Sequence, residues 1–214
     1  MLELKLKNNN LPGKLIIFEG TDGAGKTTLV QMTEKLLKEK YGNDMVLCLK
    51  QPTDLSRKTK LFQKMMYSEN HSDINYRAVQ LLTMSDRIQH GFETIEPALA
   101  EGKIIICDRY IYTSLVNMVA RGYKNEKWFY DVSKHILEPN IKFLAYVDAS
   151  IAIERIKSRP EEANRYLNEE LLKKVSILFQ KAAYLNNFTI LNTNGDPENT
   201  FEKIKRVLKQ EGII

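Results

Sequence analysis

Five short runs of consecutive apolar residues recur along the chain, and stretches of helical periodicity fill the intervals. The runs are Leu15–Phe18, Met45–Leu49, Ile104–Cys107, Phe143–Val147 and Phe188–Leu191. They are rich in β-branched residues and do not alternate with polar ones, the pattern of strands covered on both faces. Between them, four stripes predict helices: Leu29, Val30, Leu36 and Leu37; Leu81, Ile88, Phe92, Ile95 and Leu99; Trp128, Phe129, Val132 and Ile136; Phe201, Ile204, Val207 and Leu208. Strand followed by helix, repeated about five times, predicts an α/β fold in three layers, a parallel sheet with helices on both faces. Residues 1–13 are polar and Asn-rich and end in the turn signal Pro12-Gly13, so they read as a short, loosely held extension. Residues 14–214 then form a single domain, with no internal repeat or long linker.

Composition narrows the class. At 214 residues, 43% apolar and 28% charged, the chain is an ordinary ordered protein, and wholesale disorder is excluded. No apolar run reaches the ~18 residues of a membrane span, and no secretory signal opens the chain, so a cytoplasmic protein is expected. Cys48 and Cys107 each sit in an apolar run and read as buried thiols. The three histidines lack metal-ligand spacing. A net charge of +5 suits nucleic acid, a membrane surface or a small phosphorylated ligand alike. The lysines are scattered, with no basic stripe interleaved with aromatics, which argues against a nucleic-acid partner.

One motif decides among these options. Gly20-Thr21-Asp22-Gly23-Ala24-Gly25-Lys26-Thr27 fits G-x-x-x-x-G-K-[ST], directly after the first apolar run and directly before a helical stripe. Glycines let backbone N–H groups converge on phosphate oxygens without Cβ clashes. The helix after the loop presents its N-terminus to the same anion. Lys26 supplies a point charge for the β- and γ-phosphates, and the Thr27 hydroxyl a ligand for Mg²⁺. The chain therefore reads as a nucleoside triphosphate binder.

Two further segments bear on what happens to the triphosphate. Asp108-Arg109-Tyr110 follows the third run, where ligands of a doubly wound sheet bind. Asp108 there can hold Mg²⁺ and Arg109 a second phosphate; the alternative is an ion pair that merely caps a strand. Arg155, Lys157, Arg159 and Arg165 surround Pro160-Glu161-Glu162. This reads as a basic lid over about 155–168, the alternative being a solvated charged loop.

These residues resemble one family. Phe18-Glu19-Gly20 through Lys26-Thr27-Thr28 resembles the opening of thymidylate kinases; Ser85-Asp86-Arg87 resembles their Asp-Arg helix motif. Asp108-Arg109-Tyr110 resembles their signature after the central strand, and Asn194-Gly195-Asp196 their adenine-side loop. The resemblance implies a phosphate-loop kinase with sheet order 2-3-1-4-5, using ATP and Mg²⁺ on a nucleoside monophosphate, and a homodimer. It implies that Gly20, Thr21, Gly23, Ala24, Gly25, Lys26, Thr27, Thr28 and Asn194 hold ATP. Thr27 and Asp108 serve the metal; Asp22, Pro52, Arg87, Arg109, Tyr110 and Asn117 face the acceptor. Lys26 holds the transferring phosphate and Arg109 the acceptor phosphate, while Arg87 approaches the acceptor base. Position 23 is Gly and not Arg, so the catalytic guanidinium comes from the lid, as Arg159 or the better-matched Arg165.

The resemblance departs on one side. Thr83 stands where the family has a Phe that stacks on the base. Val116-Asn117-Met118 replaces Ala-Tyr-Gln, and Lys50-Gln51-Pro52 replaces Arg-Glu-Pro. Tyr76, Tyr110, Tyr112 and Asn117 are the candidates to supply what is missing. Thymidylate is the expected acceptor; a deoxynucleoside, or another phosphorylated acceptor, stays open.

Overall fold

The computed structural model describes residues 2–159 and 167–214. A five-stranded parallel sheet, ordered β2-β3-β1-β4-β5, runs through the centre. Its strands are β1 (Lys14–Glu19), β2 (Val46–Lys50), β3 (Ile104–Asp108), β4 (Ile141–Tyr146) and β5 (Thr189–Asn192). The helices are α1 (Lys26–Tyr41), α2 (Asp54–Arg57), α3 (Lys60–Tyr67), α4 (Tyr76–His90), α5 (Glu96–Ala100), α6 (Ile111–Ala120), α7 (Lys127–Ser133), α8 (Ala149–Lys157), α9 (Glu169–Leu185) and α10 (Pro197–Gln210). A π-helical turn, Gly91–Ile95, joins α4 to α5.

All five expected strands are present, in the expected order. Successive side chains of a strand point to opposite faces, so each strand feeds two cores. Leu15, Ile17, Ile105 and Leu144 face a layer that includes α4, α6 and α9. Ile16, Phe18, Ile106 and Phe143 face α1, α8 and α10. Phe18 and Phe143 are register partners, with ring centroids 5.0 Å apart. The register also puts Phe18 beside Asp108, which brings the loop after β1 and the residues after β3 to the same end of the sheet.

Three expectations change. Cys107 is buried, but Cys48 is exposed, because β2 is an edge strand and cover on that face does not extend past Val46. Residues 2–13 are not loosely held. Leu4 is buried, its N–H donates to Asn186 Oδ1 at 2.9 Å, and Lys7 forms a parallel bridge with Leu137. The stripe from Leu81 to Leu99 is also split. Leu81 and Phe92 are exposed, while Gln80, Thr83, Asp86 and Arg87 are buried. The π-helical turn inserts a residue and rotates the helix beyond it, so spacing on α4 does not carry into α5. The buried face of α4 is polar because it has polar partners: Asp86 accepts from Thr53 N and Ser56 N at 2.9 and 3.0 Å.

Candidate active site

The loop between β1 and α1 is shaped by its glycines. Gly20 has φ +143°, and a Cβ there would lie 2.4 Å from the Ala145 carbonyl oxygen; at Gly23, φ +76°, it would lie 2.5 Å from that of Ala152. Side chains at either place would force the backbones apart. Helices α2, α3 and α9 begin with Thr53, Thr59 and Asn168 capping their N-termini. Helix α1 begins with Gly25 in the left-handed region, with no side-chain cap and no acidic residue in its first turn. Its N–H groups are left for an anion.

Lys26 is buried beneath this loop, its Nζ donating to Gly20 O at 3.0 Å and Thr21 O at 2.6 Å. Burial, and then the neighbouring Arg109 charge, lower its pKa to about 7; Asp22, Asp108 and Glu19 pull it back up. Thr27 is exposed and lines the cleft in front of Lys26, as do Gly23, Ala24 and Gly25; Thr28 beside it is exposed. Thr193 Oγ1 donates to Ala24 O at 2.9 Å, and Arg155 donates to Thr193 O at 3.0 Å and Gly23 O at 3.4 Å. Arg155, expected in the lid, therefore ties the loop to β5. Lys157, also expected there, pairs with Glu169 at 2.7 Å. Asn194 flanks this side and exchanges hydrogen bonds with Asp148.

Past β3 the chain turns sharply. Arg109 has φ +68°, and its N–H donates to Phe18 O at 2.9 Å. Its guanidinium donates to Gly20 O and Thr113 Oγ1 and pairs with Asp22. Glu19, fully buried at the end of β1, accepts from Tyr110 N and Thr113 N, each at 2.9 Å, and so caps α6 from another element. Burial raises its pKa, against the hydrogen bond from the Thr113 side chain and the charges of Arg109 and Arg87. Sequence reasoning missed this role; its one signal was an acidic residue closing an otherwise apolar strand. Asp108 Oδ1 is buried without a hydrogen-bond partner, and Oδ2 lies 3.7 Å from Lys50 Nζ. Among the described residues, no group of three His, Cys, Asp or Glu side chains could hold a metal.

A cleft of about 360 Å³ gathers most of the expected site. Asp22, Lys26, Thr27, Pro52, Arg87, Asp108, Arg109, Asn117 and Arg159 all line it. Arg165 and half of the expected lid, residues 160–166, lie outside the described residues. Arg87 is buried, donating to Thr83 O at 3.0 Å and Tyr110 O at 3.2 Å, with Nε unpartnered. Tyr110 does not face the cleft as expected: its ring is in the core and its hydroxyl donates to Leu137 O at 2.8 Å. The backbone reversal at Arg109 swings its side chain away from the sheet end. Tyr112 is likewise buried, edge-on to Phe188. Asn117 lines the cleft, but its amide donates to Thr113 O at 2.9 Å and accepts from Arg121 at 2.6 Å. Arg57 and Arg121 line the cleft without having been anticipated. Arg57 is held by Nε donating to Pro52 O at 2.6 Å.

Comparisons with known proteins place the chain in a family. The family model described as thymidylate kinase matches residues 18–204. The chain is 34% identical over 203 residues to a probable thymidylate kinase of Pyrococcus horikoshii, covering 93% of this chain and 97% of that one. It is 33% identical over 177 residues to the thymidylate kinase of Desulfotalea psychrophila, covering 82% and 85%. The crystal structure of thymidylate kinase from Ehrlichia chaffeensis shares the fold, with a TM-score of 0.67 at 23% identity over 92% of this chain and 99% of that one. A phosphate loop, an Asp-Arg pair beyond the central strand and a sequence match across nearly the whole length make this chain a member of the thymidylate kinase family.

Proposed function

We propose that the protein transfers the γ-phosphoryl group of ATP to dTMP, forming dTDP and ADP. The observation that carries this reading is the convergence of Lys26, Asp22, Asp108 and Arg109 on one cleft, at the uncapped N-terminus of α1. Phosphoryl transfer asks the protein for positioning and charge neutralisation more than for covalent chemistry. The loop N–H groups and Lys26 receive the triphosphate; an anion there gives Lys26 a stronger partner than two carbonyl oxygens. Asn194 flanks the adenine side. Arg109, oriented by Asp22 and Gly20, and Arg57 nearby, meet the acceptor phosphate. Arg87 sits at the buried side of the cleft, where its guanidinium approaches the acceptor base. Arg159 lines the cleft and Arg165 lies six residues further along the chain; both are candidates to neutralise charge on the transferring group.

The residues present suit Mg²⁺. The unpartnered Asp108 Oδ1 and the exposed Thr27 hydroxyl are hard oxygen ligands, and Mg²⁺ characteristically takes only one or two carboxylates beside phosphates and waters. Held by Asp108 and Thr27, Mg²⁺ would offset negative charge on the phosphates. A homodimer is the assembly the resemblance implies, and exposed Leu81 and Phe92 offer it an apolar surface.

Incubation with ATP, Mg²⁺ and each common nucleoside monophosphate, read by mass spectrometry, tests the reaction. dTDP is the expected product. Absence of dTDP, with another diphosphate formed, rejects dTMP as acceptor and keeps the kinase; no diphosphate at all rejects both.

A further inference from the structure

The cleft contains a flat cationic surface. Arg121 comes directly after the last turn of α6, and its Nη1 donates to Asn117 Oδ1 at 2.6 Å. The centre of its guanidinium lies 4.4 Å from the centroid of the Tyr76 ring. Tyr76 is buried and packs at 5.9 Å and 30° against Tyr123. Arg77 lies 4.8 Å over Tyr123 and makes a two-point ion pair with Glu126, at 2.7 and 2.9 Å. Arg121 is thus fixed by an amide and backed by the Tyr76 ring, itself packed on Tyr123, and it lines the cleft together with Thr83 and Arg87.

We infer that the guanidinium plane of Arg121 is the stacking platform for the pyrimidine of the acceptor nucleotide. The site needs such a platform. Thr83 is almost wholly buried and donates its hydroxyl to Gln80 O at 3.1 Å, so it presents no face. Tyr110 and Tyr112 are committed to the core. A guanidinium is planar, delocalised and weakly hydrated, and it stacks on bases and aromatic rings alike. Held in place by Asn117 and Tyr76, it loses little further rotamer freedom when the base arrives. Asn117 then acts as a positioning residue for Arg121. This inference rests on the proposed acceptor.

The test compares KM for dTMP, dUMP and ATP in the wild type, Arg121→Lys, Arg121→Ala and Tyr76→Leu. Lysine keeps the charge and loses the plane. Both Arg121 variants are expected to raise KM for dTMP about tenfold or more, the scale of losing one base-stacking partner. Tyr76→Leu is expected to raise it less. KM for ATP should stay within about twofold, because the ATP loop is not touched. The preference for dTMP over dUMP should be unchanged, because stacking reads the ring face and not the methyl edge. A wild-type KM for dTMP in Arg121→Lys overturns the inference, since charge alone then suffices. A parallel rise in KM for ATP also overturns it, as the mark of a general structural defect. If the wild type turns over no dTMP, the function reading fails first. Thermal-shift titration of dTMP with a non-hydrolysable ATP analogue then decides: weaker binding in Arg121→Lys supports the platform, and unchanged binding, or no binding to the wild type, rejects it.

Discussion

The two halves of the cleft are built by different means. The triphosphate half is made largely of one loop: glycines at positive φ, an uncapped helix start and a buried lysine lie within residues 20–27, and Asp108 and Arg109 join it from the end of β3. The base half is made of side chains from three helices, with Tyr76, Thr83 and Arg87 on α4, Phe62 on α3, and Asn117 and Arg121 at α6. A phosphate looks the same in every nucleotide, so a local loop can recognise it. A base is recognised by its faces and edges, and groups that match them must be collected from distant parts of the chain. The triphosphate half therefore keeps its motif, whereas the base half can trade a stacking ring at position 83 for a guanidinium from position 121.

Changes in the triphosphate half should strike chemistry, and changes in the base half should strike acceptor affinity. Lys26→Met is expected to lower kcat about a hundred- to a thousandfold, the scale of removing one preorganised donor from a transition state. KM for dTMP should change little, and steady-state kinetics with both substrates checks the split. An equal loss in both parameters would dissolve the distinction between the halves.

A smaller effect comes from the Lys26 pKa of about 7. ATP binds the charged form better, so binding takes up a proton above pH 7, and affinity is expected to fall by up to about tenfold per pH unit from there. Calorimetry in buffers of different ionisation enthalpy measures that uptake. The stability linkage has its own sign. The folded pKa lies below the unfolded one, so between about 7 and 10.5 the unfolded chain binds more protons, and this group's penalty is relieved as pH rises. Both effects should vanish in Lys26→Met.

The smallest effect concerns the scaffold of the base half. Thr59 caps α3, its Oγ1 accepting from Phe62 N at 3.2 Å. Thr59→Ala is expected to cost about 1 kcal/mol of stability, read by chemical denaturation. It should raise KM for dTMP modestly through the displaced Phe62, and leave KM for ATP unchanged.

Much of the fold was legible because its signals are local. The buried strands show as unbroken apolar runs, and the phosphate loop as a fixed spacing between strand and helix. The failures have physical causes. Helix α6 is buried almost all round, from Ile111 through Ala120, so it carries no amphipathic stripe. Helix α4 buries a polar face, so an apolar count selects its exposed residues Leu81 and, past the π-helical turn, Phe92. Tyr110 reads as a site residue because Asp108-Arg109-Tyr110 resembles the family signature. The backbone reversal at that arginine, invisible in a sequence, turns the next side chain into the core.

By itself, then, the sequence determined the sheet, the phosphate loop and the kind of chemistry, because each depends on residues within a few positions of one another. Tertiary structure decided what faces the base. It set Tyr76 beneath Arg121, sent Tyr110 and Tyr112 inward and made Glu19 the cap of a helix 91 residues away. Those contacts arise only when separate helices pack on one sheet, and no spacing along the chain encodes them.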